Sequence, residues 1–92
     1  MTRSELIERI AAKMPNLTIK EVEHIVNVVF GKITKTLAEG NRVEIRGFGT
    51  FSTNRRDART TFNPKNKEQI YVPAKNIIRF RTGKELHDKL NA

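Results

Sequence analysis

Ninety-two residues make one domain at most, with a modest core, and the absence of cysteine excludes disulfide staples and thiolate-held zinc. Eighteen Lys and Arg against ten Asp and Glu leave a net charge of +8, an excess that favours nucleic acid or an anionic surface as partner. No run approaches the roughly 20 apolar residues that span a bilayer, and MTRSELIERI lacks the apolar centre of a signal peptide, so an intracellular protein is expected.

The first half of the chain patterns as helix. Thr2–Glu5 and Thr18–Glu21 carry capping-box spacing, in which a hydroxyl accepts from a backbone N–H and the Glu reaches back. Leu17 and Val22 flank the second box at the spacing of a hydrophobic staple. Helix one is predicted over about 3–14, with Leu6, Ile7, Ile10, Ala11 and Met14 on one face and Pro15-Asn16 ending it. Helix two is predicted over about 19–38, with Ile19, Val22, Ile25, Val26, Val29, Phe30, Ile33 and Leu37 as a broad apolar stripe and Gly40 as its stop. Val28 falls off that stripe. It is either one stray exposed Val or a mark of a partner contact.

At residue 41 the period changes to two. Arg42-Val43-Glu44-Ile45-Arg46 alternates as a half-buried strand, and Gly47-Phe48-Gly49-Thr50-Phe51 predicts a tight turn into a second strand, anchored in the core by Phe48 and Phe51. Asn76-Ile77-Ile78-Arg79-Phe80 predicts a third strand. A short helix over 83–90 follows, opened by a third box, Thr82–Glu85. The order is α-α-β-β-β-α, an α+β fold.

Between the second and third strands, Thr53 to Lys75 is too long for an ordinary connection and too poor in apolar residues for a core. Ser52–Ala58 and Gln69–Ala74 are expected to pair as a two-stranded ribbon with Asn63-Pro64 at the turn. Residues 41–92 hold twelve basic groups against five acidic, where residues 1–40 hold six against five. Arg55, Arg56, Arg59, Lys65, Lys67 and Lys75 make the ribbon either a solvated loop or an arm along a polyanion. Its internal position, strand frame and share of the charge favour the arm. Guanidinium groups suit it because they fork onto phosphates or enter a narrow minor groove. Pro64 is a turn former by composition and, at an exposed tip, a rigid wedge able to unstack a base step. Phe62 beside it has no core to fill.

Secondary anion sites are expected at Arg3 and Ser4 on the first helix start, at Gly83 and Lys84 on the third, and at the turn Arg46–Gly49, with Arg42 on the strand leading into it. Catalysis is not expected. His24 and His87 lie on separate helices, and no carboxylate pair occupies an evident cleft. A membrane-surface role is disfavoured because the cations sit on a ribbon instead of an amphipathic helix. RNA is not excluded as a ligand.

The GFGTF turn (Gly47–Phe51), the stretch RRDARTTFNP (Arg55–Pro64) and the ending VPAKN…TGKEL (Val72–Asn76, Thr82–Leu86) together resemble the bacterial histone-like HU/integration host factor family along the whole chain. Val43–Gly49 and Arg81–Leu86 are more similar to the integration host factor beta branch than to HU. The resemblance implies an intertwined dimer, with an identical or a related alpha-type subunit, built as a helical body (about 1–40), a three-stranded antiparallel sheet with extended β-ribbon arms (about 41–81) and a C-terminal helix (about 82–92). It implies that two arms embrace double-stranded DNA through the minor groove, with Pro64 intercalating, Arg55, Arg56 and Arg59 along the arm, and Arg3, Arg46 and Lys84 clamping phosphates. It implies no cofactor, no small-molecule substrate and a place in the cytoplasm at the nucleoid. Three positions depart from the family pattern: Thr61 and Lys67 stand where relatives carry glycine, and Phe62 where they carry a cation.

Overall fold

The computed structural model describes residues 1–92 in two compact units, Met1–Lys35 and Thr36–Ala92. Helix α1 spans Arg3–Lys13 and α2 spans Ile19–Ala38. The first capping motif is present in its forward half: the Glu5 N–H donates to Thr2 Oγ1 at 3.2 Å. The second is complete, with the Glu21 N–H donating to Thr18 Oγ1 at 3.2 Å and the Thr18 N–H donating to Glu21 Oε1 at 3.1 Å. Between the helices, Leu17 packs against the cluster of Ile7, Val22 and Val26, joined by Ile10 and Ala11. The C-terminus of α2 closes in a Schellman motif, the Gly40 N–H donating to the Leu37 carbonyl and the Asn41 N–H to the Thr36 carbonyl.

The apolar stripe of α2 is covered only in part. Val22 and Val26 are buried, while Ile25 and Val29 remain 48% and 49% exposed, and Ile19, Val28 and Phe30 are similarly open. The stripe is wider than the arc one short helix can cover. The chain's buried apolar core consists of Ile7, Val22, Val26 and Leu37.

The second unit holds β1 (Val43–Ile45), β2 (Gly49–Arg56), β3 (Arg59–Phe62), β4 (Gln69–Val72), β5 (Lys75–Thr82) and α3 (Lys84–Leu90). Strands β1, β2 and β5 form the expected three-stranded antiparallel sheet in that order. The ribbon differs from its sequence reading. Ser52–Arg56 pairs with Lys75–Arg79, and Gln69–Val72 pairs instead with β3. One antiparallel register runs from Gly49↔Thr82 to Phe62↔Gln69, interrupted at Asp57-Ala58 and Pro73-Ala74. Pro73 has no N–H to give a ladder, which accounts for a break at that level. The three expected strands are therefore five.

Two further expectations are corrected. Phe48 is 44% exposed and is no buried anchor; its ring lies 5.4 Å from that of Phe80, which lies 4.7 Å from Phe51, in a cluster open on one side. The third capping box does not form. Thr82 is spent as the last residue of β5, paired with Gly49, and Gly83 caps α3 without a side-chain bond.

Candidate nucleic-acid interface

Strand β5 sorts its side chains by parity, because successive residues of a strand point to opposite faces. Asn76, Ile78, Phe80 and Thr82 share one face; Lys75, Ile77, Arg79 and Arg81 share the other. The facing positions on β2 are Phe51, Thr53 and, towards the arm, Arg55 on the first face, and Thr50, Ser52, Asn54 and Arg56 on the second, more basic one. Arg56 and Lys75 are direct cross-strand partners. Like charges directly opposite repel, so this position is at its most favourable when an anion lies across it. Arg56, Arg59 and Lys75 also line a cleft of about 150 Å³ at the ladder break, together with Asp57, Val72, Pro73 and Ile77.

Arg79 and Arg81 were missed as candidate site residues. They belong with Lys75 on the exposed basic face, and the signal was present in the alternation of Ile78-Arg79-Phe80-Arg81.

The tip is a compact loop carried beyond β3 and β4. The Asn63 N–H donates to the Glu68 carbonyl at 2.9 Å, and the Lys67 N–H to the Asn63 carbonyl at 2.8 Å. Asn63 Oδ1 accepts from the Lys65 N–H at 2.9 Å, an Asx turn that sets Pro64 at the outer end, exposed. Asn66 Oδ1 likewise accepts from the Glu68 N–H at 3.0 Å. Of the two positions where relatives of the expected family carry glycine, only one uses glycine's freedom. Lys67 adopts φ +59°, whereas Thr61 sits in the regular ladder of β3 opposite Ile70. Lys65 and Lys67 are exposed beside the tip.

Arg55, Arg56, Arg59, Phe62, Asn63, Pro64, Lys65, Lys67 and Lys75 are thus gathered on one continuous ribbon. Arg55 makes an exposed ion pair with Asp57 at 3.6 Å, and Arg42 one with Glu44 at 3.9 Å. Such pairs hold a side chain weakly, by about 0–1 kcal/mol. Arg3 and Ser4 lie in the other unit at the start of α1, where the Arg3 guanidinium donates to Asn27 Oδ1.

The turn Ile45–Phe48 is less open to phosphate than its sequence suggests. Gly47 has φ +83° at the third position and the Phe48 N–H donates back to the Ile45 carbonyl at 3.0 Å, a type II turn. That N–H is therefore spent. A side chain at Gly47 would come within 2.5 Å of Glu85 Oε2, so a carboxylate stands beside the turn where an anion was expected. Arg46 remains exposed. The Gly83 N–H is likewise committed, to the Phe48 carbonyl at 2.9 Å, leaving the exposed Lys84 side chain as the cation at that end of α3. At Gly49 the approach is closer still, since any side chain would strike the Phe80 ring and the Arg81 carbonyl.

No helix is long and apolar enough to cross a membrane. His24 and His87 lie in different units, on α2 and α3.

A family model described as bacterial DNA-binding protein matches residues 1–91. Among solved structures, the chain is similar to an HU protein from Anabaena in a cocrystal with DNA: 30% identity, 98% of this chain and 97% of that one covered, TM-score 0.83. It is similar to HU from Thermotoga maritima at 30% identity, with 98% of each chain covered and a TM-score of 0.66. It is also similar to a mutant of transcription factor 1 in solution, at 28% identity over 99% of this chain and 91% of that one, with a TM-score of 0.64.

Proposed function

The chain belongs to the bacterial DNA-binding protein family, and from that premise we propose that it is one half of an intertwined dimer that bends duplex DNA through the minor groove, at the nucleoid in the bacterial cytoplasm. The observation that carries this reading is the ribbon: a basic, solvent-exposed arm without an interior of its own, ending in an exposed Pro64. Cations along the arm and the β2–β5 face displace counterions and give an affinity that falls steeply with salt. Arg55, Arg56, Arg59 and Lys75, with Arg79 and Arg81, follow the backbone of the duplex, while Asn63, Lys65 and Lys67 attend the tip. Arg3, Ser4, Arg42, Arg46 and Lys84 hold phosphates away from it.

Pro64 of each subunit unstacks one base step, which costs a few kcal/mol per step, and the bent duplex offsets that cost by reaching more of the protein. Sequence is then read through groove width and deformability. The reading asks for no cofactor and no bond chemistry. The uncovered side of α2 and the open Phe48–Phe51–Phe80 cluster support a second subunit, since patches of this kind on a small chain mark interaction surfaces.

Val43–Gly49 and Arg81–Leu86 favour an integration host factor beta-like subunit paired with an alpha-type chain, which supports compaction, recombination and transcription control. The likeness to HU structures favours the second reading, a homodimer of low sequence preference. Native mass spectrometry of the chain alone separates them, since a stable homodimer removes the need for an alpha-type partner. For the wedge, the test is Pro64→Ala on an end-labelled duplex: FRET should report a smaller bend while binding to straight DNA is largely kept. An unchanged bend angle would remove the wedge from the mechanism.

A further inference from the structure

Strands β3 and β4 carry two largely exposed aromatic rings. Phe62 is 62% exposed and Tyr71 is 69% exposed, and the ring–ring contacts of the chain are all among Phe48, Phe51 and Phe80. The register puts Phe62 opposite Gln69 and Tyr71 opposite Thr60. Because these pairs are two residues apart on each strand, both rings leave the same face of the ribbon as diagonal neighbours. The Asn63–Glu68 level is hydrogen-bonded, so by alternation the Phe62 and Tyr71 levels are the non-bonded ones, where side chains approach more closely.

Diagonal neighbours in a sheet lie about 7–8 Å apart. At that backbone separation both aromatic side chains are within reach of one base stacked on the face. The remaining members of the face, Thr60 and Gln69, are short polar groups able to meet a base edge. Lys65 and Lys67 stand exposed at the tip end of that face, which favours a nucleotide over an apolar peptide, while Arg59 leaves from the opposite face. Arms that only followed phosphates would gain nothing from exposing two aromatic rings to water.

We propose that Phe62 and Tyr71 form a stacking platform on the arm that takes one unstacked base of the bound DNA, separate from the wedge at Pro64. The proposal rests on the DNA-binding reading and deepens it. It makes this chain select duplexes in which a base near the tip is already unpaired, because the cost of unstacking it has been met in advance.

Tyr71 is the only tyrosine and there is no tryptophan, so the intrinsic emission of the protein reports on the arm alone. The experiment titrates the full chain with a perfect duplex and with the same duplex carrying one bulged adenine, following tyrosine emission and affinity together, for the native chain, Phe62→Leu and Tyr71→Leu. Stacking should quench the emission of the native chain and of Phe62→Leu, the latter less. Each substitution should lower the preference for the bulged duplex, read as the ratio of the bulged to the perfect affinity, by about tenfold, the size of one lost base–aromatic stack. Unquenched emission on bound DNA, or an unchanged preference in both variants, overturns the platform and leaves DNA binding intact. Failure of the native chain to bind either duplex overturns the function itself, a distinct result.

Discussion

The helical unit and the arm use the same kinds of residue for opposite ends. In Met1–Lys35 the apolar side chains converge: Ile7, Val22 and Val26 are buried and the helix starts are tied down by Thr2 and Thr18. In the arm the apolar side chains diverge. Phe62, Ile70 and Tyr71 stand exposed on a two-stranded ladder whose cations outnumber its carboxylates. A two-stranded ribbon has two faces and no third layer, so it cannot bury both. The contrast teaches that exposed apolar side chains arise here where no third layer is available, on the arm and on the uncovered half of α2 alike.

Four substitutions break or sharpen that contrast. The largest effect belongs to Val29→Asp. On a lone chain this half-exposed position would tolerate the change within about 0.5 kcal/mol. In a subunit interface it buries an unpaired charge, and the loss should exceed about 3 kcal/mol. Sedimentation equilibrium and a concentration-dependent Tm measure it, and indifference of both would leave the α2 face without a partner. Next come Arg79→Ala and Arg81→Ala on the basic side of β5. Each should reduce the slope of log Kobs against log salt by about one if the side chain meets a phosphate; an unaltered slope would make that face mere solvation. The smallest is Lys67→Gly at the tip. Releasing a residue held at φ +59° should raise hydrogen-exchange protection of the Asn63 and Lys67 amides by about twofold to fivefold. Lowered protection would mean that the lysine side chain itself stabilises the turn.

The helices were legible because their signals are local. Thr2, Thr18 and Gly40 act within a few residues of themselves, and each ends or begins a helix where its spacing says. The strands were legible in kind but not in pairing. Ser52–Ala58 and Gln69–Ala74 both alternate or carry β formers, yet their partners follow from the register begun at Gly49↔Thr82, 33 residues apart in sequence. Thr82 shows the same limit at one residue. Its spacing to Glu85 satisfies a capping box, but a strand partner claimed it first. For the candidate site, the cluster of charge marks the arm and the alternation Ile78-Arg79-Phe80-Arg81 marks Arg79 and Arg81, but their shared face with Lys75 and Arg56 exists only once β2 and β5 are aligned.

By itself the amino-acid order determined the three helices, the caps of the first two, the basic second half and the Asn63-Pro64 tip, all consequences of backbone preference and side-chain chemistry at short range. Tertiary structure alone decided which cations share a face, that Glu85 stands against Gly47, and that Phe62 and Tyr71 leave the ribbon side by side. Those are properties of register and packing, and both are set by contacts between residues far apart along the chain, where local preference carries no information.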